Sequence, residues 1–588
     1  MTRAATSPDP RFHWRSPRTV VRREVQVGPP RRGEVHPVLQ RVYRARGLTG
    51  SAELRFDLGS LPPPSALGGI DKAVDLLAAA LDAGSRILVV ADFDADGATS
   101  CALAVRALRA LGAAHVDYVV PDRFRFGYGL TPEIVEVARE RRPDLLITVD
   151  NGISSIEGVD AARRAGIAVL VTDHHLPGER LPDADAIVNP NVPGDPFPSR
   201  HLAGVGVIFY VVTALRARLR EDGWFGPGRP EPNLAELMDL VALGTVADVV
   251  PLDRLNRTLV SQGLGRINGG RAHPGVAALL EAGGRSPGRV VASDLGFAAG
   301  PRLNAAGRLE HMSLGIECLL TDDPGEARRM ASRLDALNRE RREIEEQMRS
   351  QAFDALEHLV LPGGDRLPAA LCLYDESWHQ GVIGILAGRV REAVHRPVIA
   401  FAPGGARTVK GSARSIPGLH VRDALDAVAT RHPELLERFG GHAMAAGLTI
   451  PLDALDRFRA AFTEEVAARL DAHALENVIL SDGELAPEDI CLELAEAIRQ
   501  GGPWGQSFPE PVFDGEFEVV QQRVVGERHL KLVLAADAAR RAIDAIAFTM
   551  AGALPDGTAR VRAAYRLDVN DYMGKRSAQL IIEHIEAC

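Results

Sequence analysis

The chain has 588 residues, of which 46% are hydrophobic and 25% charged, with a formal net charge of -10 and five scattered cysteines that form no C-x-x-C pair. These globular proportions predict roughly three or four domains with cores of their own, and the cysteine pattern argues against a disulfide framework or a zinc knuckle. Because no apolar run approaches the roughly twenty residues that cross a bilayer, and the N-terminus lacks the apolar core of a secretory signal, we expect a cytoplasmic protein without membrane association.

We expect the first 49 residues to form a basic N-terminal arm. A disordered arm that touches DNA and a solvated tail both fit this composition, and a local basic patch can contact phosphates even in an acidic chain. The arginines of this arm are Arg11, Arg15, Arg18, Arg22, Arg23, Arg31 and Arg32.

Strand and helix patterns alternate from about residue 50 to about residue 270, as in a doubly wound parallel sheet. Three predicted strands are each followed by acidic residues. Residues 87–90 lead into Asp92, Asp94 and Asp96, and residues 145–149 lead into Asp150. Residues 167–172 lead into Asp173-His174-His175. The strand ends of such a sheet gather along one crevice, so these side chains can converge. Asp248, at the end of a helical pattern over residues 237–247, is a fourth candidate.

Three carboxylates on the turn at Asp92, Asp94 and Asp96 repel one another unless a cation lies among them. An EF-hand calcium loop begins with the same D-x-D-x-D-G pattern, but its twelfth position requires a glutamate and is Leu103 here. A strand rather than a helix also precedes this turn. Carboxylates and imidazoles without thiolates favour manganese or magnesium over structural zinc.

These acidic positions resemble the motifs of the DHH phosphoesterases in type and order. The D-x-D strand end matches Asp94 and Asp96, the lone aspartate Asp150, the triplet Asp173-His174-His175, and the later aspartate Asp248. Within that group, the chain from about residue 50 onward is similar to the RecJ single-strand-specific exonucleases. The further matching segments are residues 120–123, 127–129, 204–207, 301–308, 378–384, 411–414 and 440–442.

The resemblance implies an α/β fold with two α/β domains, a DHH domain with a parallel sheet and a smaller DHH-associated domain, joined by a long helix and followed by a C-terminal OB-fold β-barrel. The residue patterns agree, since a helical pattern begins near Pro324 and five strand-like segments lie between residues 512 and 582. A barrel used only for packing or protein contact stays open as an alternative. The expected domains are a basic arm at 1–49, a catalytic domain at 50–270, a connector at 271–360, a substrate-binding domain at 361–460 and a nucleic-acid-binding barrel at 461–588.

Two divalent ions about 4 Å apart, Mn2+ or Mg2+, can activate a hydroxide and neutralise a phosphodiester. We expect Asp150 to bridge them and Asp94 and Asp96 to bind opposite ions. His174 and Asp248 then bind the ion that Asp96 holds.

The remaining polar residues of this region have other expected roles. Asp92 is a further candidate ligand, and His175 orients its neighbour or protonates the leaving group. Asp173 is expected to support the histidine turn rather than to bind metal.

The resemblance also implies residues that contact the substrate. A 5′-phosphate pocket is implied for Arg123, Ser412 and Arg414, since arginine and hydroxyl donors bind phosphate. Contacts to the next phosphates are implied for Arg302, Asn304 and Arg308, while His379 and His442 face the scissile group. In the barrel, backbone contacts and a stacking platform are expected from Arg528, Lys531, Tyr572, Lys575 and Arg576.

The predicted function is a metal-dependent, processive exonuclease that degrades single-stranded DNA from a 5′ end towards the 3′ end, releasing 5′-mononucleotides in recombination and repair. A phosphodiesterase for short oligonucleotides or cyclic dinucleotides and a non-catalytic single-strand binder are the alternatives. The resemblance further implies a single-strand binding protein as partner, and we expect a monomer.

Overall fold

The computed structural model describes residues 18–25, 35–48, 50–121, 129–358, 367–405, 407–470, 473–536, 542–572 and 574–588. Contacts divide the chain into two compact units. The first unit comprises Thr49–Glu340 and Gln500–Glu510, and the second comprises Met1–Leu48, Arg341–Arg499 and Pro511–Cys588. Among the described helices, none combines the length and apolar character that crossing a bilayer requires.

Seventeen strands and seventeen α-helices occur in the described part of the chain. The strands are β1 (Arg18–Arg22), β2 (Arg86–Ala91), β3 (His115–Val119), β4 (Leu145–Val149), β5 (Ala168–Thr172), β6 (Ala186–Val188), β7 (Leu371–Tyr374), β8 (Val398–Pro403), β9 (Thr408–Arg414), β10 (Arg438–Gly441), β11 (Ala445–Pro451), β12 (Asn477–Ser481), β13 (Phe513–Val525), β14 (His529–Ala535), β15 (Ala542–Ala547), β16 (Arg560–Tyr572) and β17 (Lys575–Ala587). The helices are α1 (Pro37–Arg44), α2 (Ile70–Asp82), α3 (Ala95–Ala110), α4 (Pro132–Arg139), α5 (Ile156–Arg164), α6 (Gly204–Glu221), α7 (Met238–Ala247), α8 (Arg254–Asn268), α9 (Pro274–Ala282), α10 (Ala292–Asp294), α11 (Gly300–Leu309), α12 (Ser313–Leu320), α13 (Pro324–His358), α14 (Ile383–Val394), α15 (Val421–Arg431), α16 (Leu455–Arg469) and α17 (Leu492–Gln500).

The first unit is built on a five-stranded parallel sheet in the order β3-β2-β4-β5-β6. All five residues of β4 are buried, as expected for a strand covered by helices on both faces. Helix α7 is apolar on nearly every side and is buried from Met238 to Thr245, which makes it a core helix rather than a surface one. The predicted doubly wound arrangement is confirmed.

The second unit contains a mixed sheet in the order β10-β11-β9-β8-β7. Strands β7 and β8 follow apolar runs of the sequence, whereas β9, β10 and β11 do not. Glycine occurs in all three, at Gly411, Gly440 and Gly447 among others, and glycine weakens a strand pattern. Antiparallel pairing on both neighbours nevertheless places the Gly411-Ser412-Ala413-Arg414 motif inside β9.

The long helix and the C-terminal barrel are both confirmed. Helix α13 runs over 35 residues from Pro324. Five strands close into a barrel in the order β13-β14-β15-β17-β16, the strand number of an OB fold.

Part of the basic arm is a strand. Residues 18–22 form β1, which pairs in parallel with β12. Arg22 binds Asp514 at 2.7 Å, and Arg46 binds the buried Asp482 through two nitrogens at 2.6 and 3.0 Å. The β-branched Thr19, Val20 and Val21 favour this extended conformation, so this stretch is neither a tail nor a disordered arm. Arg11, Arg15, Arg31 and Arg32 lie outside the described residues.

Candidate metal centre

The register of three strands aligns their acidic ends. Ala91 pairs with Val149, and Val149 pairs with Thr172. The next residue of each strand is therefore an aspartate, and Asp92, Asp150 and Asp173 lie at the same level of the sheet. All three are buried.

The turn between β2 and α3 holds its carboxylates with backbone amides. Asp94 caps α3, because its Oδ1 accepts hydrogen bonds from the amides of Asp96 at 2.9 Å and Gly97 at 3.0 Å. Such a cap satisfies amides that a helix leaves without partners. The Asp94 carboxylate is thereby fixed at the edge of the sheet.

Asp96 is held by a second helix N-terminus. Its two carboxylate oxygens accept hydrogen bonds from Gly204 N at 2.6 Å and Val205 N at 3.0 Å. These amides open helix α6, where the helix dipole favours a negative charge. Residues 204–207 match a segment of the family, and the sequence alone assigned them no role. Their role here is to begin α6 at the point where the amides of Gly204 and Val205 reach the Asp96 carboxylate.

Two glycines leave room for the carboxylates. A Cβ atom on Gly204 would lie 2.6 Å from the Cβ of Asp150, and one on Gly244 would lie 2.7 Å from Oδ1 of Asp96. Distances this short are not tolerated between non-bonded atoms. Asp150 itself has a left-handed φ of 62°, which aspartate tolerates better than most residues.

Asp173 supports the two histidines. Its Oδ1 accepts hydrogen bonds from His174 N at 2.7 Å and His175 N at 3.1 Å and contacts His175 Nδ1 at 2.7 Å, while its Oδ2 accepts one from Ile153 N at 2.9 Å. Burial works to raise the pKa of Asp173, but the hydrogen bond and the charge of His175 outweigh it and lower that pKa to about 2. For His175, burial works to lower the pKa, and the bond to Asp173 raises it to about 9.

His174 lies at the centre of the remaining ligands. Its Nε2 is 3.2 Å from Asp150 Oδ1 and 3.4 Å from Asp248 Oδ2. Within the part of the chain that the structure describes, this buried nitrogen makes no hydrogen bond. A buried polar atom without a hydrogen bond is costly, and a metal ion would satisfy it.

The candidate ligands fall into three groups with shared members. In each group the ligand atoms lie within 4.8 Å of one another, and Asp150 and His174 each belong to two groups. Asp150 lies within ligand distance of Asp92 and Asp94 in one group and of His174 and His175 in another, and its bridging role stays a prediction. The groups are Asp92, Asp94 and Asp150; Asp96, His174 and Asp248; and Asp150, His174 and His175.

Charge repulsion marks the same place. Burial first, and then the charge of Asp248, raises the pKa of Asp96 to about 7. Burial and the charge of Asp94 raise the pKa of Asp248 to about 8, and burial with four neighbouring carboxylates raises that of Asp150 well above its ordinary value. Cations are what such a cluster requires, and the oxygen and imidazole donors suit Mn2+ or Mg2+.

Helix α11 carries the residues expected to bind the next phosphates. Asn304 Oδ1 accepts a hydrogen bond from Ala95 N at 2.8 Å, so it braces the acidic turn. Arg302 is buried and engaged with Asp335 at 2.7 Å and with the carbonyl of Ala298 at 2.6 Å. Arg308 is partly exposed on the same helix. Their contacts with substrate stay predictions.

In the second unit, Ser412 and Arg414 lie two residues apart on β9 and are in contact. Arg414 Nη1 donates to Ser412 Oγ at 3.1 Å and to the carbonyl of Ala413 at 2.8 Å. Burial, and then the charge of Arg391, lowers the pKa of Arg414 to about 10, so an anion would stabilise this pair of arginines. His379 accepts a hydrogen bond from Gly381 N through Nδ1 at 3.1 Å, and His442 is exposed after β10.

The basic residues expected to bind strands on the barrel make ion pairs. Arg528 binds Glu346 at 2.7 Å, Arg576 binds Glu496 at 2.7 Å, and Lys531 lies 3.7 Å from Asp544. Lys575 is exposed at the start of β17. Arg123 and the side chain of Tyr572 lie outside the described residues.

Comparison with known proteins gives matches along most of the chain. The matching family models are the DHH family N-terminal domain at residues 86–245, the DHHA1 domain at 368–468 and the RecJ OB domain at 481–584. The single-stranded-DNA-specific exonuclease RecJ of Dickeya dadantii is 56% identical over 551 residues, which cover 93% of this chain and 96% of that protein.

Solved structures agree. The crystal structure of RecJ in complex with Mn2+ from Thermus thermophilus matches with a TM-score of 0.76 and 32% identity over 94% of this chain and 76% of that one. The Mg2+ complex from the same organism matches with a TM-score of 0.71 and 31% identity over 94% of this chain and 75% of that one. The resemblance inferred from the motifs is confirmed.

Proposed function

The chain belongs to the RecJ family of single-stranded-DNA-specific exonucleases, and from that premise we propose that it is a metal-dependent exonuclease that degrades single-stranded DNA in the 5′-to-3′ direction. The products are 5′-mononucleotides, and the process served is recombination and repair. The observation that carries the proposal is the convergence of Asp92, Asp94, Asp96, Asp150, His174 and Asp248 at one edge of the sheet. The complete acidic set argues against a non-catalytic binder, and a phosphodiesterase for short oligonucleotides or cyclic dinucleotides would not need the long helix α13 or the barrel.

Two ions, Mn2+ or Mg2+, would be held by these residues, with Asp150 shared between them. When bound, such ions neutralise the phosphodiester charge and lower the pKa of water. The chain itself contributes the positions of the ligands. Asp96 is fixed by two amides of α6 and Asp94 by two amides of α3, so the carboxylates do not reorganise as the substrate arrives.

His175 is the proposed proton donor to the leaving oxygen. Its Nδ1 is engaged by Asp173 at 2.7 Å, which leaves Nε2 as the atom that transfers a proton. The bond to Asp173 raises the pKa of the ring and so favours its protonated form. Asp173 then acts as the orienting partner, in the way a carboxylate fixes a catalytic histidine.

A 5′-phosphate is the proposed ligand of Arg414 and Ser412, together with Arg123. The buried guanidinium, its lowered pKa and the neighbouring Arg391 favour an anionic ligand. Reading of the terminal phosphate gives the enzyme its direction. The proposed contacts with the next phosphates are made by Arg302, Asn304 and Arg308. The residues proposed to face the scissile group are His379 and His442.

The barrel is proposed to hold the strand beyond the site, through Arg528, Lys531, Tyr572, Lys575 and Arg576. We further propose a single-strand binding protein as partner and a monomeric state. The proposed domain boundaries lie near residues 50, 270, 360 and 460. The matching family models each lie inside one of those intervals, apart from the few residues by which the DHHA1 match passes 460.

Products from three substrates test the proposal. Single-stranded DNA labelled at its 5′ phosphate, the same sequence as blunt duplex, and a cyclic dinucleotide are incubated with Mn2+ or with a chelator. We expect labelled mononucleotide to appear first, from the single strand alone and with Mn2+ alone. Late release of the label would reverse the direction, and preferential hydrolysis of the cyclic dinucleotide would replace the proposed activity.

A further inference from the structure

Residues 500–510 form a segment, here called the strap, that packs in a different unit from its neighbours in sequence. The chain before it, up to Arg499, and the chain after it, from Pro511, belong to the second unit, yet the strap belongs to the first. It closes on itself through a bridge between Gly505 and Phe508, and the rings of Trp504 and Phe508 stack with centroids 5.1 Å apart and planes 10° from parallel.

The strap binds the loop that connects α7 to α8. Leu252 N donates to the carbonyl of Gln506 at 2.7 Å. A Cβ atom on Gly505 would lie 2.6 Å from Cδ1 of Leu252, so the strap backbone rests directly on that side chain. The guanidinium of Arg257 lies 4.2 Å above the ring of Phe508. Leu252, Arg257 and Phe508 are all buried, and cation–π contacts strengthen when desolvated.

The loop held in this way begins at a candidate metal ligand. Asp248 is the C-cap of α7, and Val249 follows it with a left-handed φ of 59°. A β-branched residue in that region is strained, at a cost of about 1–3 kcal/mol, and persists only where its surroundings fix it. Val249 is itself 63% exposed, so its own side chain does little to fix the turn. The restraint comes from the residues that follow.

Val249 N donates to the carbonyl of Val246 at 3.2 Å and Val250 is buried, and two further contacts hold the turn at Pro251 and Leu252. Asn256 Nδ2 donates to the carbonyl of Pro251 at 2.9 Å from within α8. The second is the bond from Leu252 N to the strap. Removing the strap would take away one of the two contacts at Pro251 and Leu252, three and four residues after Asp248.

We propose that the strap is a positioning element of the metal centre, which holds the strained turn at Val249 so that Asp248 stays in ligand distance of Asp96 and His174. The inference rests on the proposed metal-dependent function. It assigns no chemistry to the strap itself, which acts through Asp248 alone.

Manganese binding to the full-length protein tests the proposal without relying on activity. The variant is Gly505→Ala, which forces the strap and the side chain of Leu252 apart while its own backbone stays outside the left-handed region. The control is Gly265→Ala in α8, where an added Cβ meets nothing within 4 Å. We expect Gly505→Ala to weaken binding of one Mn2+ ion at least fivefold by isothermal titration calorimetry, and Gly265→Ala to leave both ions unchanged.

A double variant separates positioning from general packing. If the strap acts through Asp248, adding Gly505→Ala to Asp248→Ala should change Mn2+ affinity less than twofold, because the ligand is already absent. Equal weakening in both backgrounds, or unchanged affinity in the single variant, would overturn the proposal. Phe508→Leu repeats the test with a smaller disturbance should Gly505→Ala fail to fold. Absence of Mn2+ binding by the wild-type protein would refute the proposed function rather than the role of the strap.

Discussion

Removing metal from this protein should make the stability of its first unit fall as pH rises. Asp96 is 1% exposed, and burial together with Asp248 raises its pKa from 3.8 to about 7. Between those values the folded protein keeps a proton that the unfolded chain releases. The stability contributed by the protonated carboxyl is therefore complete below pH 3.8 and is lost as pH rises through 7.

The size of the effect follows from the two pKa values of Asp96. From about pH 5.5 to about pH 7.5 the unfolding free energy should fall by about 2 kcal/mol through this group alone. Asp248 and His175, whose pKa values are raised to about 8 and about 9, act in the same direction. Burial lowers the pKa of His174, which contributes with the opposite sign.

Hydrogen exchange measures this change in the first unit alone. Peptides that cover β2, β4 and β5 are followed from about pH 5.5 to about pH 8.5, with chelator or with saturating Mn2+, after correction for intrinsic exchange rates. Asp96→Asn removes the titration and one of the two amide contacts, so it should start about 1 kcal/mol lower and vary less with pH. The exposed Asp82→Asn is the control. A metal-free stability that is flat or rises with pH would mean that these carboxylates do not share a buried site.

Three further predictions concern binding and catalysis. Asp150→Ala should abolish hydrolysis yet leave the affinity for single strands within about tenfold, because two of the candidate ligand groups lose a shared member while the basic surfaces are unchanged. Product release measures the hydrolysis and fluorescence anisotropy measures the affinity. Substantial activity at saturating Mn2+ would show that the bridging ligand is misassigned. Arg414→Ala should reduce the preference for a 5′-phosphate over a 5′-hydroxyl end by about 1.5–3 kcal/mol in competition assays, and equal losses on both ends would exclude phosphate reading. Deleting residues 511–588 while keeping the strap should lower the slope of log affinity against log salt on long strands by about 0.7 per lost phosphate contact. Binding of very short strands should be nearly unaffected. An unchanged slope on long strands would identify the barrel as a packing or partner-binding module.

The metal cluster was predictable because it depends on strand ends. A buried parallel strand is an apolar run, and its next residue must lie at the edge of the sheet, so Asp92, Asp150 and Asp173 could be placed without knowing any contact. The helix that supplies the amides to Asp96 could not be found in this way. Glycine at 204 and 244 is informative only once the neighbouring carboxylates are known.

Residues whose partners lie far away in sequence were harder to interpret. Arg302 has the composition of a phosphate contact, yet Asp335 and a backbone carbonyl engage it in the interior. Nothing in the local pattern of residues 500–510 indicates that they pack with α7 and α8, because their bond to Leu252 joins residues 252 and 506, which are far apart along the chain. Truncation after residue 460, which modular reasoning from the sequence would favour, removes part of the unit that carries the metal centre.

The membership of the strap in the first unit also affects how the protein is made. Every candidate metal ligand has been synthesised by residue 248, but the unit that contains them is complete only after residue 510. At about 5–20 residues per second, a ribosome needs roughly 10–50 s to make the intervening chain. Throughout that interval the nascent nuclease lacks its last structural segment, so assembly of the first unit ends only when most of the chain has emerged.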